Sequence, residues 1–417
     1  MMRLAVVCNE VLYPVNHGGR VDVVRRLRAL TGAGVTVAQL VAWAGEDEPL
    51  WSAQTLGDKL GIAIGTLAII PIARSWPARL GRLPRLLTQS LYVATRHLSR
   101  KVMDDLVDEA KAAGVDAVML DGLFGGNVAL TLARRLEVPL FYRSQNIEHR
   151  YLEDQSRVAK GLRRRLSAWL ASRNVAAFER NVMRHAALVF DISMDDMAYW
   201  QQQGIAHIHW LPPFCDALPA AANQLEKRDV AFLGNLFMPN NVQGVRWLLE
   251  QVWPLVLQKA PQLTLRIAGS KPVAELVAAC AQRPSVELVA DIAVVADIYE
   301  AATVMVNPVL VGSGVNMKSL ELLATGKPVV STSQGVKGLP VEHQALFIVT
   351  DTAESFATSI VDALALARRQ PEIRASRLPD CYRPAAISVA ITLMDEVMAG
   401  HRGMPLVVNK ENLPQKG

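Results

Sequence analysis

The stretch Pro308-Val309-Leu310-Val311-Gly312-Ser313-Gly314-Val315-Asn316-Met317-Lys318-Ser319-Leu320-Glu321 decides how the fold is read. An apolar strand at Val304–Val306 ends by Pro308. A Gly-Ser-Gly loop follows, and a helix is predicted to open near Val315. Strand, glycine loop and helix in that order aim free backbone N–H groups at an anion. Lys318 and Glu321 lie three apart and share one face of that helix. Two readings stand at this point. A diphosphate rests on the loop with Lys318 beside it and Glu321 accepting from ribose hydroxyls, or the two side chains form a solvated surface pair.

Outward from this unit, short apolar runs alternate with helical patterns, as in parallel α/β folds. The predicted strands are Leu4–Cys8, Val35–Val41, Ala117–Leu120, Val138–Phe141 and Leu188–Ile192, then Val230–Leu233, Leu263–Ala268, Val286–Val289, Val304–Val306, Pro328–Ser331 and Leu346–Val349. Helices are predicted near Arg20–Leu30, Val242–Lys259, Val315–Thr325, Ala353–Arg369 and Ala385–Ala399. Trp210–Arg228, with Pro212, Pro213, Pro219 and three consecutive alanines, breaks the alternation and reads as a linker. The class is therefore α/β, with two Rossmann-like domains facing a cleft. The expected organisation is an N-terminal domain over 1–210, a linker over 211–228, a second domain over 229–383, and a closing helix and frayed tail over 384–417.

The chain has 417 residues, 51% hydrophobic and 20% charged, enough apolar material for two cores. No uncharged stretch reads as a membrane span, and the early apolar run is too short for a secretory signal. The four cysteines form no C-x-x-C pair, which argues against a disulfide framework or a cysteine zinc site and fits a cytoplasmic setting. No D-x-D, Walker A loop, G-x-S-x-G elbow or H-E-x-x-H occurs, so no metal site is expected. The net charge is +5, and its excess lies in residues 1–210, which carry 26 Lys and Arg against 20 Asp and Glu, or +6, while residues 211–417 carry −1. Cations there alternate with apolar residues: Arg74, Arg79, Arg82, Arg85, Arg96, Arg100 and Lys101 around Trp76 and Tyr92, and Arg157, Lys160, Arg163, Arg164 and Arg165 before Trp169. Such segments suit an anionic bilayer surface or a lipid-linked acceptor, and equally a solvated helix face. No nucleic-acid-binding pattern is present.

Three further loops follow strands. Pro14-Val15-Asn16-His17-Gly18-Gly19-Arg20 offers backbone at a helix start, without the dinucleotide G-x-G-x-x-G. Gly234 and Asn235 end the strand Val230–Leu233, and Asn241 downstream reads as a helix cap. The polar run Tyr142–Arg150 contributes Arg143, Asn146, Glu148 and His149 as candidate acceptor contacts, with His149 as a candidate base.

Phe232-Leu-Gly-Asn235, Pro239-Asn-Asn, Trp247, Pro254, Pro261 and Leu265-Arg-Ile-Ala-Gly269 resemble the donor domain of GT-B glycosyltransferases of the family 4 type. So do Gly312-Ser-Gly314, Lys318-Ser-Leu-Glu321, Gly326-Lys-Pro-Val-Val-Ser-Thr332 and Gly335-Val-Lys-Gly-Leu339, covering about residues 230–340 as an ordered set. The N-terminal half matches more loosely, through Gly18-Gly19 and Asn146-Ile-Glu148. The resemblance implies a nucleotide-sugar, such as a UDP- or GDP-sugar, bound mainly by the second domain. It implies transfer with retention to a saccharide or lipid-linked acceptor on the first, in cell-surface polysaccharide or glycoconjugate synthesis. The last helix would cross back onto the first domain. Glu321 matches the ribose-holding second carboxylate of the E-x7-E motif, and Gly312, Ser313, Gly314, Val315 and Asn316 match the diphosphate and sugar loop. Ser313 stands where the first carboxylate falls, Asn235 where an Arg is common, and no Lys follows it. Phosphate charge then falls to Lys318, Lys271, Arg20 or helix ends. The departures keep two other readings open: a binder of sugar nucleotides without transfer, and an epimerase of the same fold.

Overall fold

The computed structural model describes residues 1–45, 48–73, 75–158, 161, 166, 169, 171–218, 220–312, 314–369 and 376–403. Ser313, Arg74, Lys160, Arg163, Arg164, Arg165 and the tail beyond 403 lie outside them.

The first sheet has seven strands: β1 (Arg3–Cys8), β2 (Thr36–Ala44), β3 (Ile64–Pro71), β4 (Ala117–Asp121), β5 (Leu140–Ser144), β6 (Leu188–Asp191) and β7 (Ile208–Trp210). The second has six: β8 (Arg228–Leu233), β9 (Leu265–Gly269), β10 (Val286–Ala290), β11 (Ala302–Asn307), β12 (Val329–Ser331) and β13 (Ile348–Val349). The orders are 3-2-1-4-5-6-7 and 10-9-8-11-12-13, and every pairing is parallel. Helices cover both faces, which is why central strands such as Leu4–Cys8 are unbroken apolar runs rather than alternating ones. Strand order reverses between β1 and β4, and again between β8 and β11. These two places are where a doubly wound sheet opens a crevice.

Between the sheets the chain is pinned rather than loose. Phe214 is buried in the first domain's core and Cys215 in the second's, and the Cys215 N–H donates to the Tyr382 carbonyl at 2.8 Å. The helix Ile387–Gly403 returns to the first domain, where Ile387, Ala390, Met394 and Met398 pack with Val24 and Leu27.

Three local readings change. The helix predicted at Val242–Lys259 is Pro239–Trp247 and Trp253–Lys259, joined by a wide π turn over Leu248–Val252. Pro254 has no N–H and its ring crowds the preceding turn, so the backbone widens there. The helix predicted from Val315 opens at Met317, because Asn316 caps it by accepting from the Lys318 N–H at 3.2 Å. Asn241 is not a cap: Pro239 already occupies the first turn after Met238, and Asn241 lies inside the helix, buried.

Candidate active site

The second domain's crevice lies between the loop after β8 and the loop after β11. Lys318 sits at its base. Its ammonium donates to Asn241 Oδ1 at 2.9 Å and lies 4.1 Å over the Phe232 ring. Burial pushes its pKa down to about 7, with the Glu321 carboxylate working against the shift. A Cβ on Gly234 would stand 2.7 Å from the Lys318 Nζ, so only glycine lets the ammonium occupy this place. Asn241 Nδ2 in turn donates to the Asn235 carbonyl at 3.0 Å. One amide thus joins Lys318 to the strand-end loop. Sequence reading missed this role, and only the folded helix reveals which way Asn241 faces.

The two domains meet around this lysine. Asn235 Nδ2 donates to the Asn16 carbonyl at 3.1 Å, and its Oδ1 accepts from Ser270 Oγ at 2.8 Å. Gly314 has φ +64, and a Cβ there would stand 2.6 Å from Asn146 Oδ1 and 2.9 Å from the Gln145 carbonyl. Gly312 accepts from Gln334 Nε2 at 3.1 Å, and Val315 lies against Gly338. Gly18 and Gly19 open the helix Gly18–Gly32 close to Met317 and Gln145, at 3.6 and 3.5 Å from their ideal Cβ positions. Glu321 is not facing solvent alone. Arg25 of the first domain donates to it at 2.9 Å, to Asp216 at 3.1 Å and to the Phe214 carbonyl at 3.3 Å. Arg25 had no signal in the sequence, where it is one of several arginines on a helix.

Four expected contacts are placed differently. Arg143 is buried inside the first domain, its guanidinium on Asp22 at 3.0 Å, so it does not face an acceptor. The reason is that β5 runs on to Ser144, three residues past the predicted strand end, and carries Arg143 into the sheet. His149 is buried, with Nδ1 2.6 Å from Glu179 Oε2 and Nε2 3.4 Å from the Tyr199 hydroxyl. Glu179 also accepts from the Glu148 and His149 N–H groups at 2.8 and 3.2 Å, so this histidine locks a helix start and does not reach the cleft. Lys271 lies exposed one strand away from the crevice, its ammonium 6.0 Å over Phe237. Arg20 is held by Glu10 at 2.6 Å and the Pro14 carbonyl at 3.1 Å.

Glu148 does face a pocket. This cavity of about 320 Å³ sits at the carboxyl ends of β1, β4 and β5, lined by Asn9, Glu10, Tyr92, Phe124, Glu148 and Tyr151. Tyr92 and Phe124 pair with ring centroids 4.8 Å apart. Asn9 Oδ1 accepts from the Phe124 and Gly125 N–H groups at 2.9 and 3.3 Å and so fixes the floor. Burial and the neighbouring Glu179 raise Glu148 to about 8, so near neutral pH it keeps a proton to donate. Its place at the first sheet's reversal point was legible once the strand order was known, but Tyr92 and Phe124 carried no motif.

Residues 227–365 match the family described as glycosyl transferases group 1. A 44.6 kDa protein in the cps region of Klebsiella pneumoniae, itself uncharacterised, is 25% identical over 390 residues, 87% of this chain and 91% of that protein. Sucrose-phosphate synthase from Thermosynechococcus elongatus superposes with a TM-score of 0.64 at 15% identity, over 96% of this chain and 100% of that one. Anabaena HepE in complex with UDP and glucose superposes with a TM-score of 0.58 at 13% identity, over 97% and 100%. No described helix is long and apolar enough to cross a membrane. The second domain is thus similar to group 1 glycosyltransferases over residues 227–365, and the two domains together have the GT-B fold.

Proposed function

We propose that the protein is a retaining glycosyltransferase that moves a sugar from a nucleoside-diphosphate sugar to an acceptor held by the first domain. The observation that carries the reading is Lys318, half-buried at the second sheet's reversal point, its ammonium held on Asn241 where a Cβ on Gly234 would crowd it. As the glycosidic bond breaks, negative charge grows on the leaving diphosphate. An ammonium already fixed there stabilises the transition state more than the ground state. Removing a comparable pre-set donor costs roughly 2.7–4 kcal/mol of barrier. Glu321, oriented by Arg25, would accept from the ribose hydroxyls. We assign no protein nucleophile. The acceptor attacks from the face the diphosphate leaves, and its proton passes to the departing phosphate. His149, held on Glu179, takes no part. The scheme asks for no metal. The relative in a cps region favours polysaccharide or glycoconjugate synthesis as the setting.

Ser313 in place of the first motif carboxylate favours a second reading, a sugar-nucleotide binder without transfer. A panel of nucleotide sugars decides, read by thermal shift and by release of nucleoside diphosphate. The transferase reading expects one donor to stabilise the protein and to be turned over, with both effects lost in Glu321→Ala. Binding with no turnover across a range of saccharide and lipid-linked acceptors would favour the binder. No stabilisation by any donor would remove both.

A further inference from the structure

From Leu60 to Met103 the chain carries seven lysines and arginines and no carboxylate. Part of this stretch folds into the helix Trp76–Arg82, the 3-10 turn Leu83–Leu87 and the helix Leu91–Thr95. Four of its large apolar residues are turned outward, Trp76 at 75% exposed, Leu80 at 58%, Leu83 at 56% and Leu87 at 69%, while Leu86 and Leu91 are half-buried and Val93 is buried. Their spacing of four, three and four is that of one helical face, the face that in a core helix would be covered. A second segment adds to it. Asn174 Nδ2 donates to the Leu87 carbonyl at 3.4 Å, and five residues upstream Trp169 is 52% exposed with the Arg173 guanidinium 5.4 Å over its ring.

The cations of this face do not neutralise carboxylates of their own stretch, since it holds none. Arg85 donates to the Gly81 carbonyl at 3.0 Å, and Arg100 and Lys101 are exposed. Tryptophan, leucine and arginine interleaved without acids match the boundary between anionic headgroups and acyl chains. A protein partner would have to supply all the negative charge itself. The face also leads somewhere. Five residues after Leu87, Tyr92 is 39% exposed and forms the rim of the 320 Å³ pocket with Phe124.

We propose that this face docks on an anionic lipid bilayer and holds the mouth of the Tyr92–Phe124 pocket at the lipid surface. Taken with the transferase reading, on which this clause alone rests, the acceptor is then the sugar head of a lipid-linked saccharide.

The test is co-sedimentation of the full chain with phosphatidylcholine vesicles that contain or lack phosphatidylglycerol, at low and high salt. The protein should bind the anionic vesicles, ignore the neutral ones, and bind less as salt rises. The pair Leu83→Glu and Leu87→Glu should weaken binding by about tenfold or more with an unchanged melting temperature, because both side chains are exposed. Arg82→Ser with Arg85→Ser should weaken it with the apolar face intact. Hydrogen exchange with anionic vesicles should slow over 76–95, Tyr92 included, and not in the second sheet. Failure to bind anionic vesicles, or equal binding by the Leu83→Glu/Leu87→Glu variant, overturns the proposal. So does a dimer in solution that this variant dissolves, which would assign the face to a second copy. The donor panel is independent of all these outcomes, so either reading can fail alone.

Discussion

Burial holds the Lys318 ammonium near a pKa of about 7, so in the unliganded protein it is close to half protonated at neutral pH. A diphosphate arriving beside it favours the charged form, and binding therefore takes up a proton. Affinity for a nucleoside diphosphate should fall as pH rises above about 7, by up to about tenfold per unit, and Lys318→Met should abolish both the affinity and its pH dependence. Calorimetry in buffers of different ionisation enthalpy reads the proton directly. The sign for stability is opposite. An unfolded lysine keeps its proton to about pH 10, so folding releases one, and raising the pH from about 7 to about 10 stabilises the fold through this group. Lys318→Met should then melt a few degrees higher at pH 7, roughly the effect of 1 kcal/mol. Lys318, Glu321 and the glycines around Ser313 were legible because their chemistry depends on spacing along one loop and helix. Arg25 and Asn241 were not, because each acts by reaching an element distant in sequence.

Elements were legible where both faces of a strand are buried. Nearly every central strand announced itself as a short apolar run. The edge strand β3 did not: Gly65 and Thr66 interrupt it and it is only half-buried, so its pattern is weak. Close approach between elements was also invisible. Gly244, inside the helix Pro239–Trp247, would bring a Cβ to 2.4 Å from the Pro308 carbonyl, at the start of the glycine loop. Gly244→Ala must push that helix or that loop aside. It should destabilise the protein by about 1–3 kcal/mol despite alanine's better helix propensity, and weaken donor binding as well. A urea titration and a nucleotide titration check the two effects. Asn316→Ala removes the cap of the helix that presents Lys318, and should cost about 1 kcal/mol in the same titration.

At the scale of the molecule, the two-domain plan followed from the break in alternation at Trp210–Arg228, but the way the halves are fastened did not. The fastening is made of single contacts spread along the chain: Arg25 on Glu321, Asn235 on Asn16, and the Met194 N–H on the Gly338 carbonyl at 3.0 Å. The returning helix adds a larger apolar one. Met394 is fully buried among residues of the first domain, so Met394→Ala should cost about 2–5 kcal/mol. Hydrogen exchange should show the loosening in the first sheet, although the substitution lies beyond the second domain in sequence. That helix also sets an order of events during synthesis. The first domain's opening strands emerge from the ribosome early, but the wall that covers Val24 and Leu27 is encoded after the whole second domain. The second domain can close as a unit while the first still exposes an apolar stripe. The half translated first is thus the half finished last, and a chain stalled before Ile387 leaves the ribosome with its first domain uncovered and prone to stick to others.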